Sequence, residues 1–120
     1  MKNVILAIGS NFKAEQNIME AEGRLMPLFG FLDISPDAVT EPVGMPQGTK
    51  SFVNELIVGD TSLSYDDLLS HIKDIEQACG KRTETQIPLD IDILQYDGKR
   101  YHEADWQRSY IQDLMALMQP

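Results

Sequence analysis

With 120 residues, 42% of them hydrophobic and 24% charged, the chain has the size and composition for one modest core, which argues against disorder. A formal net charge of −9, from 19 acidic against 10 basic residues, disfavours non-specific nucleic-acid binding, which needs basic side chains to neutralise phosphates. No apolar run reaches the length of a bilayer span, and the single cysteine, Cys79, excludes an internal disulfide or a multi-cysteine metal site. These features set the expectation of one cytoplasmic domain over 1–120, with no membrane or nucleic-acid partner.

Val4 to Ile8 is an apolar run halted by Gly9-Ser10-Asn11, too short for a leader, and reads as a first strand. Ala14, Ile18, Ala21, Leu25 and Leu28 recur at helical spacing, with Gly30 as the expected stop. Phe31 to Ile34 and Ala38 to Thr40 form a second extended segment interrupted at Pro36. Residues 41–50, with Pro42, Gly44, Pro46 and Gly48, make a loop long enough to suggest a function. Phe52 to Val58 is the third strand. Glu55 there shares a face with Val53 and Ile57, which suggests a bulge.

Ser64 is a natural N-cap for the second helix, with Asp67 in capping-box position and Leu63 stapled to Leu68. Leu68, Ile72, Ile75 and Cys79 form its buried stripe, and Gly80 ends it. Leu89 to Tyr96 is the fourth strand, turned by Asp97-Gly98, and a short helix from about Trp106 to Met118 follows. The order β-α-β-β-α-β predicts an α+β, ferredoxin-like sandwich, a four-stranded antiparallel sheet with helices on one face plus a C-terminal helix. The other face of the sheet is left open.

Within Leu89-Asp90-Ile91-Asp92-Ile93, alternation sends the apolar side chains under the helices and both aspartates to the open face. Two strand rises separate the aspartates by about 6.6 Å. At that distance they repel by roughly 2.5 kcal/mol at an effective dielectric of about 20. On a solvated face the pair means little; lining a pocket, it calls for a divalent cation. Phe52 and Asn54 share a strand face and could hold a flat heterocycle, or be ordinary sheet decoration. His102, Arg108 and Tyr110 could serve a phosphate and a ring, or lie on the surface. Glu76 is on the polar side of the second helix. Lys81 and Arg82 complement its dipole, Lys99 and Arg100 mark a charged hairpin rim, and His71 is given no role.

Taken in order, these segments resemble the 6-hydroxymethyl-7,8-dihydropterin pyrophosphokinases. Ala7-Ile8-Gly9-Ser10-Asn11 resembles their opening, Thr40-Glu41-Pro42-Val43-Gly44 the start of their substrate loop, and Phe52-Val53-Asn54 their pterin-contacting strand. Ile75-Glu76 is similar to the end of their second helix. Leu89 to Leu94 resembles their metal strand, and His102, Arg108 and Tyr110 their terminal histidine, arginine and aromatic.

The resemblance implies transfer of diphosphate from ATP to the hydroxymethyl group of a reduced pterin, releasing AMP. It implies a catalytic set of Asp90, Asp92, His102 and Arg108, with Asp90 and Asp92 holding two magnesium ions. Thr40, Pro42, Val43, Phe52, Asn54 and Tyr110 would contact the pterin, and Glu76, His102 and Arg108 the ATP. The chain also departs from the family. Its 80–88 loop is short, Ile87 stands in place of a final arginine, and the only tryptophan, Trp106, lies outside that loop. The segment between Asp92 and His102 is shortened as well, and Glu103 stands where Pro or Tyr is usual. Slow catalysis is therefore expected, with two rival readings: a non-catalytic nucleotide- or pterin-binding homologue, and a ferredoxin-like interaction or regulatory domain.

Overall fold

The computed structural model describes residues 1–118; the last two positions of the expected 1–120 domain lie outside the described residues. Strands β1 (Lys2–Ser10), β2 (Phe31–Ile34), β3 (Ala38–Thr40), β4 (Phe52–Thr61), β5 (Asp90–Tyr96) and β6 (Lys99–Arg100) form one antiparallel sheet with α-helices α1 (Ala14–Leu25), α2 (Tyr65–Cys79) and α3 (Ser109–Met118). The sheet runs β2-β4-β1-β5-β6, and β3 also pairs with β4. The expected four-stranded sheet thus has six strands. The second extended segment is two, because β2 pairs with the far half of β4 and β3 with its near half, either side of Ser35-Pro36-Asp37. Proline cannot donate to a ladder, so the edge breaks there. Ser35 repairs the gap: its Oγ accepts the Leu56 N–H at 2.8 Å.

Val4, Leu6 and Ile8 of β1, Ile57 of β4, and Leu89, Ile91 and Ile93 face α1 and α2, meeting Ile18, Ala21, Leu25, Leu68, Ile72 and Ile75 in the main core. The Ser64 cap forms as expected, its Oγ accepting the Asp67 N–H at 3.1 Å, and Gly80 ends α2 with φ 124°. Helix α1 stops earlier than Gly30. Pro27 lacks the N–H that an α-turn requires, and Met26–Leu28 tighten into a 3-10 turn. The last helix also starts later than Trp106, after a separate 3-10 turn at Asp105–Gln107.

Helix α3 covers half of the opposite face. Ile5, Leu56 and Leu94 meet Trp106, Ile111 and Leu114 in a second core, and the Trp106 Nε1–H donates to the carbonyls of Leu94 and Tyr101. The remaining half of that face is free to form a site.

The bulge lies in β5, not at Glu55. Strand β4 pairs with β1 in unbroken register, while the β1–β5 register shifts between Ile5 and Leu6, opposite Gln95 and Ile93. Glu55 stays on the main-core side at 2% exposure. Burial, then the carboxyls of Glu22 and Asp37, push its carboxyl up to about 9. The folded state therefore keeps a proton that the unfolded chain releases above pH 4.5. The associated stability is present below that pH and is lost as pH rises towards about 9. Melting curves of the free protein should show Tm falling across this window, and Glu55→Gln should flatten the fall and raise Tm at the alkaline end.

Candidate functional site

The open half of the face ends in a cavity of about 350 Å³. Its floor comes from the sheet: Ala7 and Gly9 of β1, Phe52 and Asn54 of β4, and Asp90 and Asp92 of β5, all on one side because alternate residues share a face. One wall is the Thr40–Val43 stretch with Met45. The other is Ile87 and Arg82 from the 80–88 loop, with Asp105, Arg108 and Tyr110 approaching from the C-terminal segment.

Asn54 is the best-anchored polar group on the floor. Its Nδ2 donates to Thr40 Oγ1 at 2.8 Å and to the Ala38 carbonyl at 3.1 Å, fixing the amide plane. Its Oδ1 would be 2.9 Å from a Cβ placed on Gly9, so only glycine lets β1 pass beneath the amide. Phe52 lies beside it and Tyr110 lines the same cavity, with the Arg108 guanidinium 4.7 Å from the Tyr110 ring centroid. Burial leads in pushing the Tyr110 phenol above its ordinary range. Apolar walls with a fixed amide suit a flat, hydrogen-bonding ring.

The mouth is acidic. Burial, then the neighbouring Asp90 carboxylate, push the Asp92 carboxyl up to about 6, with His102 pulling the other way. Arg82 Nη1 lies 3.4 Å from Asp90 Oδ1, and His102 Nε2 lies 3.9 Å from Asp92 Oδ1. Among the described residues, one group of three His or carboxylate side chains brings its ligating atoms within 4.8 Å of one another: Asp92, His102 and Asp105. Two mutually repelling carboxylates of hard oxygen donors fit magnesium.

Of the residues singled out from sequence, Thr40, Pro42, Val43, Phe52, Asn54, Asp90, Asp92, Arg108 and Tyr110 line this cavity. Two do not line it. His102 is exposed and stands beside Asp92, its backbone at φ 54°. Glu76 lies behind β5, where its Oε2 accepts the Ile91 N–H at 2.9 Å, and burial raises its carboxyl pKa against that bond. Lys99 and Arg100 sit over the Tyr101 and Trp106 rings, away from the cavity.

Three contributors were not read from sequence. Asp105 follows His102 by one tight turn, closed by the Asp105 N–H to the His102 carbonyl at 2.9 Å, and only the His-x-x-Asp spacing hinted at it. Arg82 reaches into the site instead of only complementing the helix dipole. Asn11 does more than halt the first strand, and the N-cap of α1 is Lys13, with no side-chain cap. The Asn11 side chain ties the two loops beside the cavity. Its Nδ2 donates to the Thr85 and Lys50 carbonyls at 2.9 and 3.3 Å, and its Oδ1 accepts the Ile87 N–H at 2.6 Å.

Residues 5–120 match the family model described as 7,8-dihydro-6-hydroxymethylpterin-pyrophosphokinase. The chain is also similar to the Arabidopsis thaliana protein "Folate synthesis bifunctional protein, mitochondrial", 31% identical over 121 residues, covering 90% of this chain and 22% of that protein. A Chlamydia caviae "Folate synthesis bifunctional protein" is 29% identical over 136 residues, covering 98% of this chain and 30% of that one. The chain thus spans less than a third of the length of these relatives.

Proposed function

Because the chain belongs to the 7,8-dihydro-6-hydroxymethylpterin-pyrophosphokinase family, we propose that it is a single pterin-pyrophosphokinase domain over 1–120, acting in folate biosynthesis in the cytoplasm. It transfers the β,γ-diphosphate of ATP to the hydroxymethyl oxygen of 6-hydroxymethyl-7,8-dihydropterin. The new bond is between that oxygen and the β-phosphorus, and the bond from the β-phosphorus to the α–β bridging oxygen breaks, releasing AMP. One observation carries this reading: a fixed amide, two aromatic side chains and an Asp-x-Asp pair open into the same cavity.

In this reading Asn54 aligns the pterin edge while Phe52 and Tyr110 bracket its ring, with Thr40, Pro42 and Val43 closing the side. Asp90 and Asp92 would hold two magnesium ions, which when bound supply the charge that lets a triphosphate approach an acidic mouth. Arg108 and His102 face the phosphates, and Glu76 supports the ATP side from behind β5. Such catalysis is mostly placement and charge stabilisation, so the number of cations over the phosphates matters. Arg82 is the one basic residue of the 80–88 loop lining the cavity, and Ile87 is apolar. Turnover is accordingly slow.

The test is AMP release with hydroxymethyl-dihydropterin, ATP and magnesium at high protein concentration. A rate about 100- to 1,000-fold below an ordinary metabolic kinase is expected, the cost of losing one charged donor. A fast rate would show that the short loop suffices. Calorimetry with a non-hydrolysable ATP analogue separates the rival readings. Binding without turnover identifies a non-catalytic homologue, and no binding at all leaves an interaction domain.

A further inference from the structure

Glu55 sits on the face of the sheet opposite the site, and its Oε1 is buried without a hydrogen-bond partner. A buried acceptor left unmade costs the full desolvation of the group, so such an atom asks for a donor. The groups that face it are the carboxyls of Glu22 from α1 and Asp37 from the β2–β3 connection, which hydrogen-bond with the protonated Glu55 carboxyl but give Oε1 no donor. Glu55 lines a second cavity of about 400 Å³ together with Ile18, Met19 and Val53 and the carboxyls of Glu15, Glu22 and Asp37. No part of the proposed reaction uses this place.

We infer that this groove binds a small aliphatic diamine, one ammonium among Glu55, Glu22 and Asp37, the alkyl stem over Ile18 and Met19, and the second ammonium at Glu15. The two acidic ends fit a two-headed cation, because Glu15 and Glu22 are seven residues apart on one helix, about 10 Å along its axis. A bare metal ion fits less well. Among the described residues only Asp92, His102 and Asp105 bring three ligating groups within 4.8 Å of one another, so the carboxyls here are spread beyond one ion's shell. In the free protein Glu55 holds a proton at neutral pH, its carboxyl raised to about 9 by burial and by Glu22 and Asp37. An arriving ammonium displaces that proton, so binding is coupled to proton release.

Calorimetry with putrescine in two buffers of different ionisation enthalpy tests this directly. Saturable binding is expected, with a buffer-dependent heat reporting proton release at pH 7. Glu55→Gln should abolish the buffer dependence and weaken binding at least about tenfold. Asp37→Asn, at an exposed position, should weaken it without touching the buried carboxyl. Glu15→Gln should bring putrescine down to the affinity of n-butylamine, which has one head. Asp92→Asn should leave it unchanged. No binding, binding indifferent to Glu55 and Asp37, loss of binding in Asp92→Asn, or a preference for calcium or magnesium over putrescine would each overturn the inference.

Discussion

Replacing Asp90 and Asp92 together with asparagine is expected to remove the magnesium dependence of nucleotide binding and to lower AMP release by about 100- to 1,000-fold or more. Without the ion, a triphosphate meets the two carboxylates as like charges; with it, the same carboxylates become its anchor. Both aspartates are only part-buried, and Asp92 is raised by burial and by its neighbour, so the amides relieve repulsion without emptying the core. The melting temperature should hold or rise while binding is lost, a combination that unfolding cannot mimic. The wild-type pH profile follows from the same residue. Metal uptake needs the carboxylate, so affinity should fall as pH drops through about 6. Nucleotide affinity that is equal with and without magnesium in the unmodified protein would sink the metal role of this pair.

Asn11→Ala is expected to be the most destabilising single change outside the apolar core. It deletes bonds to Lys50, Thr85 and Ile87 in one step and leaves the Ile87 N–H, in a buried residue, without its acceptor. With about 1 kcal/mol for each of the two lost carbonyl bonds and roughly 1–3 for the orphaned Ile87 N–H, the cost is on the order of 3–5 kcal/mol. A chain of this size should then lose roughly 12–20 °C in Tm. Limited proteolysis should cut first at 80–88 and 41–50, because the two loops lose their common fastener. Asn11→Asp would keep the acceptor for Ile87 and lose both donors, giving an intermediate loss. A variant as stable and protease-resistant as the parent would show that the loops hold themselves.

What could be read from the amino acids was whatever depends on near neighbours. Ser64 and Asp67 mark a helix start because cap and N–H are three residues apart, and Asp90 and Asp92 share a face because a strand has period two. The family resemblance brought Thr40, Phe52, Asn54 and Tyr110 to one place for the same reason, each lying at a recognisable point of a local motif. The failures were non-local or broke a rule of composition. Asn11 looked like a turn residue because its partners lie far along the chain, at Lys50, Thr85 and Ile87. Glu55 was read as a bulge since an unpaired acid on a core face is costly, yet the strand stays regular and the acid takes up a proton instead. The bulge that does exist, beside Leu94 and Gln95, has no glycine or other local mark.

The position of β1 in the sheet has a consequence for how the chain is made. It is the first strand of the sheet to be synthesised, yet its two neighbours come much later, β4 at Phe52–Thr61 and β5 only at Asp90–Tyr96. A nascent chain that has not yet delivered Asp90–Tyr96 holds a central strand with one bare edge, and the apolar face that α3 later covers is still open. Such an intermediate has the exposed edge and greasy surface that invite pairing with another copy. The sheet therefore closes only once Asp90–Tyr96 has been made, and a chain arrested before β5 keeps that edge of β1 open to pairing.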